Sequence, residues 1–344
     1  MSAFCCLTCS DRLRLNAAPP ETPISAPLRL WHRLQAARGW PLVRRVLGWL
    51  YLLVVAVLLI ALGLRLDWAA VLSSLGAIAP LSLLLACLLA AASHLAYSAF
   101  DLLGRAYSGH ALSTARVLAI TFVSYIGTLN FGALIGGIGV RQRLYLQAGL
   151  SLSVTAQVFA LSVLTNWLGY LLLVAVLLIG PTYAALALPG LPSTALAGAL
   201  GGAILVAIAG YLLACWWRAG VGFRLGVMSL RLPGLRLALG QVLVSAASWL
   251  INTAILYVLF GGQLSFDELL LVSMAAAVFG MISHIPASIG VLEGTFVALL
   301  SSQLAAESLI AVLLVYRAVF YLLPLPLAGL IWYRLETPQR AAPN

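Results

Sequence analysis

The chain has 344 residues, of which 63% are hydrophobic and 8% charged, against roughly 45–50% apolar and about 25% charged in soluble domains. A water-soluble fold is excluded, and so is a separate soluble catalytic domain, because spans of ~20 apolar residues use nearly everything after Arg45. The net charge is +10 and all 19 basic residues are arginines that flank apolar segments, a pattern of membrane topology and not of nucleic-acid binding.

Residues 1–43 hold Pro19, Pro20, Pro23, Pro27 and scattered arginines without an apolar run, so they read as a disordered basic cytoplasmic tail and not a cleavable signal peptide. Cys5, Cys6 and Cys9 form a CCxxC with only His32 nearby, which reads as unpaired thiols before a zinc site. Arg44 and Arg45 introduce a first span at 46–64, placing the N-terminus in the cytoplasm. A short interfacial helix at 67–75 follows, and a second span at 80–100 returns to the cytoplasmic side, where Asp101, Arg105, His110 and Arg116 lie.

Segment 115–150 begins as an apolar helix, breaks at Asn130 and the glycines Gly132, Gly136, Gly137 and Gly139, and at once presents Arg141 and Arg143. The span 154–179 then leads to 181–194, a charge-free stretch suited to the outside. Both facts are met if 115–150 is a re-entrant hairpin opening to the cytoplasm. Span 195–215 leads inward to a basic loop at 216–240, and span 242–260 leads outward. Segment 269–304 breaks at His284, Pro286 and Gly290 and is expected to be a second hairpin, opening outward; the last span, 309–332, ends inside, with a short cytoplasmic tail at 336–344.

Ile138-Gly139-Val140 matches Ile289-Gly290-Val291 at an offset of 151, which also pairs Tyr145 with Phe296, Asn166 with Arg317 and Tyr170 with Tyr321. The expected fold is therefore an all-α polytopic membrane protein with about six spanning helices and two re-entrant broken-helix hairpins, in an inverted repeat of halves at 115–180 and 268–333. Broken helices in inverted repeats are the architecture of secondary transporters, with the substrate near the midplane, because backbone groups freed by a break are tolerated only against protein or a wet cavity.

Charges inside apolar spans face a partner or a cavity. Arg141, Arg143 and Arg317 form a candidate anion site whose planar forks suit phosphate, with Glu293 as counter-charge; the alternative is an Arg317–Glu293 pair that only locks helices. Asn130, Tyr145, Asn166, His284 and Tyr321 complete the candidate headgroup site, with Gly136, Gly137, Gly139, Pro286 and Gly290 as hinges. His94, within a span, reads as a packing residue. The chain holds no HExxH, GxSxG or GxxxxGK motif, so no catalytic residue, metal or cofactor is expected.

The segments Asn130–Tyr145 (NFGALIGGIGVRQRLY) and His284–Glu293 (HIPASIGVLE), with Tyr316-Arg317 in the last span, resemble the lysylphosphatidylglycerol synthase transmembrane region, a family of YbhN-like inner-membrane proteins and of the flippase half of the multiple peptide resistance factor. Ala287 and Ser288 stand where that family commonly has glycine. The resemblance implies a lipid flippase fold, without the synthase domain, in which two hairpin tips meet around a headgroup. The function expected is movement of an anionic-headgroup lipid across a bacterial inner membrane; the alternative is a non-transporting partner of a lipid-modifying enzyme. The partners expected are a phospholipid or lipid-linked amphiphile, the membrane and a second copy of the chain, with no nucleic acid.

Overall fold

A segment that is apolar on every face and surrounded by lipid must satisfy its backbone hydrogen bonds internally, which leaves the helix as its natural form. The computed structural model describes residues 68–186, 193–225, 228–283 and 285–336, all within one unit spanning 62–344. The N-terminal tail with its cysteines, the expected first span at 46–64, His284 and residues 337–344 lie outside the described residues.

In chain order the helices are α1 (Trp68–Gly76), α2 (Pro80–Ser108), α3 (Thr114–Phe131), α4 (Arg141–Gln147), α5 (Leu152–Ile179), α6 (Pro181–Leu186), α7 (Thr194–Trp217), α8 (Leu235–Leu259), α9 (Phe266–Ser283), α10 (Val291–Leu300), α11 (Ala306–Arg317) and α12 (Leu325–Glu336). A wide π-type turn, Ala133–Val140, joins α3 to α4, a tight 3-10 turn, Pro286–Ser288, precedes α10, and a second π-type turn, Ala318–Leu322, interrupts the last span between α11 and α12. Serines begin several of these helices by accepting an otherwise orphaned backbone N–H: Ser113 from Arg116, Ser151 from Val154 and Ser193 from Leu196.

Among the described residues, seven helical stretches are long and apolar enough to cross a membrane, and the protein is an all-α polytopic membrane protein. Two of the seven, α3 and α9, are the leading arms of the broken segments. Each has 18 residues, which at ~1.5 Å per residue nearly matches a hydrocarbon core of ~30 Å. The hairpins are thus deep.

Gly132 ends α3 at φ 88°, ψ 163°, a conformation open to glycine and to few other residues. The chain then folds back so closely that a Cβ on Gly136 would lie 2.0 Å from the Gly127 carbonyl carbon. In the second hairpin Gln303 donates to Glu268 at 3.0 Å, tying the end of the returning arm to the start of α9.

Helix α2 packs most extensively on α8. Tyr107, near the end of α2, bonds the backbone of Arg231 just before α8, while Ala86 and Ala90 share a core cluster with Ile255, Leu256 and Phe260 at the other end. The two helices are therefore antiparallel. The first hairpin returns to the C-terminal end of α2, where Tyr145 meets Asp101. The second packs Leu269 and Leu300 beside Leu259 at the C-terminal end of α8. The hairpins consequently open to opposite faces.

The repeat is longer than the halves read from the sequence. An offset of 151 carries α2, α3, α4 and α5 onto α8, α9, α10 and the α11–α12 pair to within a few residues, so each half begins one helix earlier than expected. Helix α7 stands between the halves, held by a buried polar chain in which Tyr211 donates to Gln241 at 2.7 Å and Gln241 to Thr165 at 3.0 Å. Such polar contacts bind helices together where lipid supplies no hydrophobic drive.

Three expectations change. The basic segment 216–240 contains an antiparallel β-hairpin, Gly222–Leu225 with Met228–Arg231, because a chain outside the bilayer may pair as strands. The charge-free stretch after α5 opens with the short helix α6. Asp101, expected beyond the end of a span, lies inside α2 with no exposed surface, because α2 continues to Ser108 and closes on Gly109 in the left-handed conformation.

Candidate functional site

The tip of the second hairpin packs against α3, the leading arm of the first. Below this junction is a cavity of about 200 Å³ whose wall draws on both repeats. From the first repeat come Ser93, Tyr97, Tyr125 and Asn166; from the second come Asn252, Ser273, Ser288, Tyr316 and Tyr321. Hydroxyl, amide and aromatic groups dominate, and among the described residues no formally charged side chain lines it. Tyr316 donates to Asn252 at 3.0 Å, and the rings of Tyr97 and Tyr125 stack with centroids 3.5 Å apart.

Charge stands behind this wall. Arg317 donates from Nε and Nη2 to the two carboxylate oxygens of Glu293, from Nη1 to the Ala287 carbonyl at 2.7 Å and from Nη2 to the Ser288 carbonyl at 3.0 Å. Glu293 also accepts the Gly290 N–H at 2.9 Å, satisfying a backbone donor at the start of α10. The Arg317 guanidinium lies 5.4 Å from the ring centroid of Tyr321, a cavity residue. One side chain thereby connects the last span, the second hairpin tip and the cavity.

The backbone explains why the tip needs this clamp. Ala287 and Ser288 have φ of 54° and 49°, left-handed values that cost a non-glycine residue about 1–2 kcal/mol each. Both strained residues offer their carbonyls to Arg317.

The three candidate arginines do not share a site. Arg141, 3% exposed, pairs with Asp101 at 3.4 Å and donates to Ser162 at 3.1 Å, with the Phe159 ring 5.8 Å away. Arg143 is 59% exposed and pairs with Glu336 at 2.9 Å. Each arginine has its own carboxylate: for the buried Arg141 and Arg317 the reason is that a bare charge in an apolar surrounding is costly, whereas the exposed Arg143 makes a surface pair.

Of the other candidates, Asn166 and Tyr321 line the cavity. Asn130 donates to the Tyr321 carbonyl at 3.2 Å, joining the first hairpin to the last span. Tyr145 is buried away from the cavity and donates to Asp101 at 2.8 Å. Gly136 permits the close approach of the hairpin arms, a Cβ on Gly137 would meet Thr128 Oγ1 at 3.1 Å, and Gly139 lies within the π-type turn. Pro286 starts the 3-10 turn, and Gly290 is left-handed at φ 80°.

Sequence reading missed Ser93, Tyr97, Tyr125, Asn252 and Ser273 in the cavity and Asp101 as the partner of Arg141. The offset of 151 carries signal here, since it pairs Asp101 with Asn252, a polar residue inside the first helix of each half. In the loop between α2 and α3, burial and then Arg105 hold the His110 imidazole below its ordinary pKa. Among the described residues no three His, Cys, Asp or Glu side chains form a metal-binding group.

Comparison with known proteins agrees with this architecture. Over 302 residues the chain is 36% identical to the inner membrane protein YbhN of Escherichia coli (strain K12), covering 87% of this chain and 94% of that protein. It is 29% identical over 267 residues to an uncharacterized protein of Synechocystis, covering 77% and 82% respectively. Residues 48–328 match the family described as the lysylphosphatidylglycerol synthase TM region. A match of that extent, across both hairpins and the cavity between them, means that this chain belongs to the lysylphosphatidylglycerol synthase TM region family.

Proposed function

We propose that the protein is a lipid translocase of the bacterial inner membrane, which passes the headgroup of an anionic lipid through the central cavity while the acyl chains stay in the bilayer. The observation that carries this reading is the cavity itself: a chamber edged with hydroxyl and amide groups inside an apolar protein, walled by two hairpins that open to opposite faces. Broken helices lining a cavity between inverted repeats are the setting in which membrane transporters bind substrate.

The chemistry of the wall suggests how an anion is accommodated. Hydroxyl and amide groups take the polar atoms of the headgroup. Its negative charge is met by Arg317 when the phosphate replaces Glu293, because the same guanidinium fork suits carboxylate and phosphate. Exchange of one anionic group for another keeps Arg317 paired while the headgroup passes.

The test is reconstitution of the purified protein into vesicles holding a trace of fluorescent phosphatidylglycerol, with a membrane-impermeant reductant added outside. The expected result is loss of inner-leaflet fluorescence in vesicles with active protein and not with heat-denatured protein. Arg317→Ala is expected to abolish this activity and Arg231→Ala, in the β-hairpin, to leave it intact. Equal activity of the two variants removes Arg317 from the pathway, and identical traces from active and denatured protein reject translocation.

A further inference from the structure

A second cavity, of about 580 Å³, opens sideways between α2, α3 and the last span. That volume falls within the ~300–1,000 Å³ of small-molecule sites. Among the described residues its lining is apolar apart from His94 and Ser98, with Leu95, Leu118, Phe122 and Leu327 among its walls. Ser98 is occupied, donating to the His94 carbonyl at 2.7 Å.

His94 is the anomaly. It is 4% exposed, yet neither ring nitrogen completes a well-aligned hydrogen bond; the backbone of Phe320, in the π-type turn, offers it only a weak one. Buried polar groups without a partner are rare and call for an explanation. The ring stacks on Phe320 at 4.6 Å and meets the edge of Tyr125 at 5.7 Å. Phe320 and Tyr125 line the central cavity, while His94 lines the lateral one. A single layer of aromatic rings therefore separates the two chambers.

We propose that the lateral cavity is an acyl-chain site for a membrane phospholipid, in which His94 donates an N–H to the ester carbonyl at the glycerol junction. This deepens the translocase reading and rests on it: the tail lies in the groove while the headgroup reaches the central cavity across the His94–Phe320–Tyr125 layer. The occupant follows from the chemistry. The walls match hydrocarbon, and among the described lining residues His94 is the buried hydrogen-bonding side chain without formal pairing, which suits a neutral ester oxygen better than a charged headgroup.

The test uses full-length protein in nanodiscs of ester-linked phosphatidylglycerol containing a trace of the same lipid with a diazirine midway along one chain. After illumination, labelled residues are located by mass spectrometry. Labelling is expected to concentrate on the stretches carrying Leu95, Leu118 and Leu327, above that at Val206, a 73% exposed residue of α7. His94→Phe keeps a ring in the aromatic layer and removes both nitrogens, and it is expected to lower groove labelling about fivefold, the effect of one hydrogen bond. His94→Gln, which restores a donor, should recover part of it.

Leu327→Trp should block the groove without touching His94. Groove labelling no higher than at Val206, equal labelling of His94→Phe and wild type, or a groove filled by residues 46–64 or a second copy each overturn the assignment. Should His94→Phe fail to fold, the wild-type distribution and Leu327→Trp decide it. Because labelling reports binding, a groove that labels in a protein that moves no lipid rejects translocation alone. An empty groove in an active protein rejects this site alone.

Discussion

Arg317 combines two roles that can be separated by measurement. Its guanidinium neutralises Glu293 and holds the carbonyls of two strained residues at the hairpin tip. Removing one member of a mostly buried pair strands the other at a cost of about 3–5 kcal/mol. Glu293→Gln is therefore expected to lower the melting temperature, and the Glu293→Gln/Arg317→Gln double variant to melt above the sum of the single effects, as coupled residues do. Additive losses would mean that the pair is not a unit. The same tip predicts an unusual gain: Ala287→Gly relieves a left-handed alanine, and because that relief exceeds the added entropy cost of glycine, stability should rise by up to about 1 kcal/mol. A melting temperature clearly below wild type would contradict the strain.

At the scale of elements, the first hairpin depends on backbone touching backbone. A Cβ on Gly136 would come within 2.0 Å of Gly127, whereas one on Gly210 in α7 would meet nothing within 4 Å. Gly136→Ala should thus cost about 1–3 kcal/mol as overpacking, and Gly210→Ala should be neutral or slightly stabilising because alanine is the better helix former. Thermal melts of the two variants in the same detergent check this, and equal stabilities would refute the close approach. The break itself was legible in the sequence, since four glycines followed by two arginines cannot continue as a simple span. The depth of the hairpin was not. How far α3 runs before Gly132 turns it depends on how it packs along α2.

For the whole molecule, opposed hairpins make a direct prediction about access. In a chain whose native cysteines are replaced, Gln147→Cys marks the mouth of the first hairpin and Ser302→Cys that of the second, both at exposed positions. An impermeant thiol reagent should label the two from opposite sides of the membrane. Labelling from one side only would dismantle the inverted arrangement. The three-residue match at an offset of 151 pointed to the repeat, but the first helix of each half escaped notice. Helices α2 and α8 differ in nearly all side chains and in length, and are tied by their mutual packing and one polar pair in register, Asp101 and Asn252.

What the sequence determined by itself was set by solvent and backbone. A composition 63% hydrophobic with 8% charge has to fold in lipid as helices, and glycine and proline clusters mark where those helices break. Each span also announced that a buried arginine needs a partner, because an isolated charge is too costly there. Which partner it takes was decided only in three dimensions. Arg141 finds Asp101, 40 residues earlier, Arg143 finds Glu336, near the end of the chain, and Arg317 finds Glu293 on the neighbouring arm. Three arginines, two of them only two residues apart in sequence, therefore serve three separate junctions. The cavity between the repeats is lined instead by serines, asparagines and tyrosines, whose contribution depends on convergence from six helices and leaves no local pattern to read.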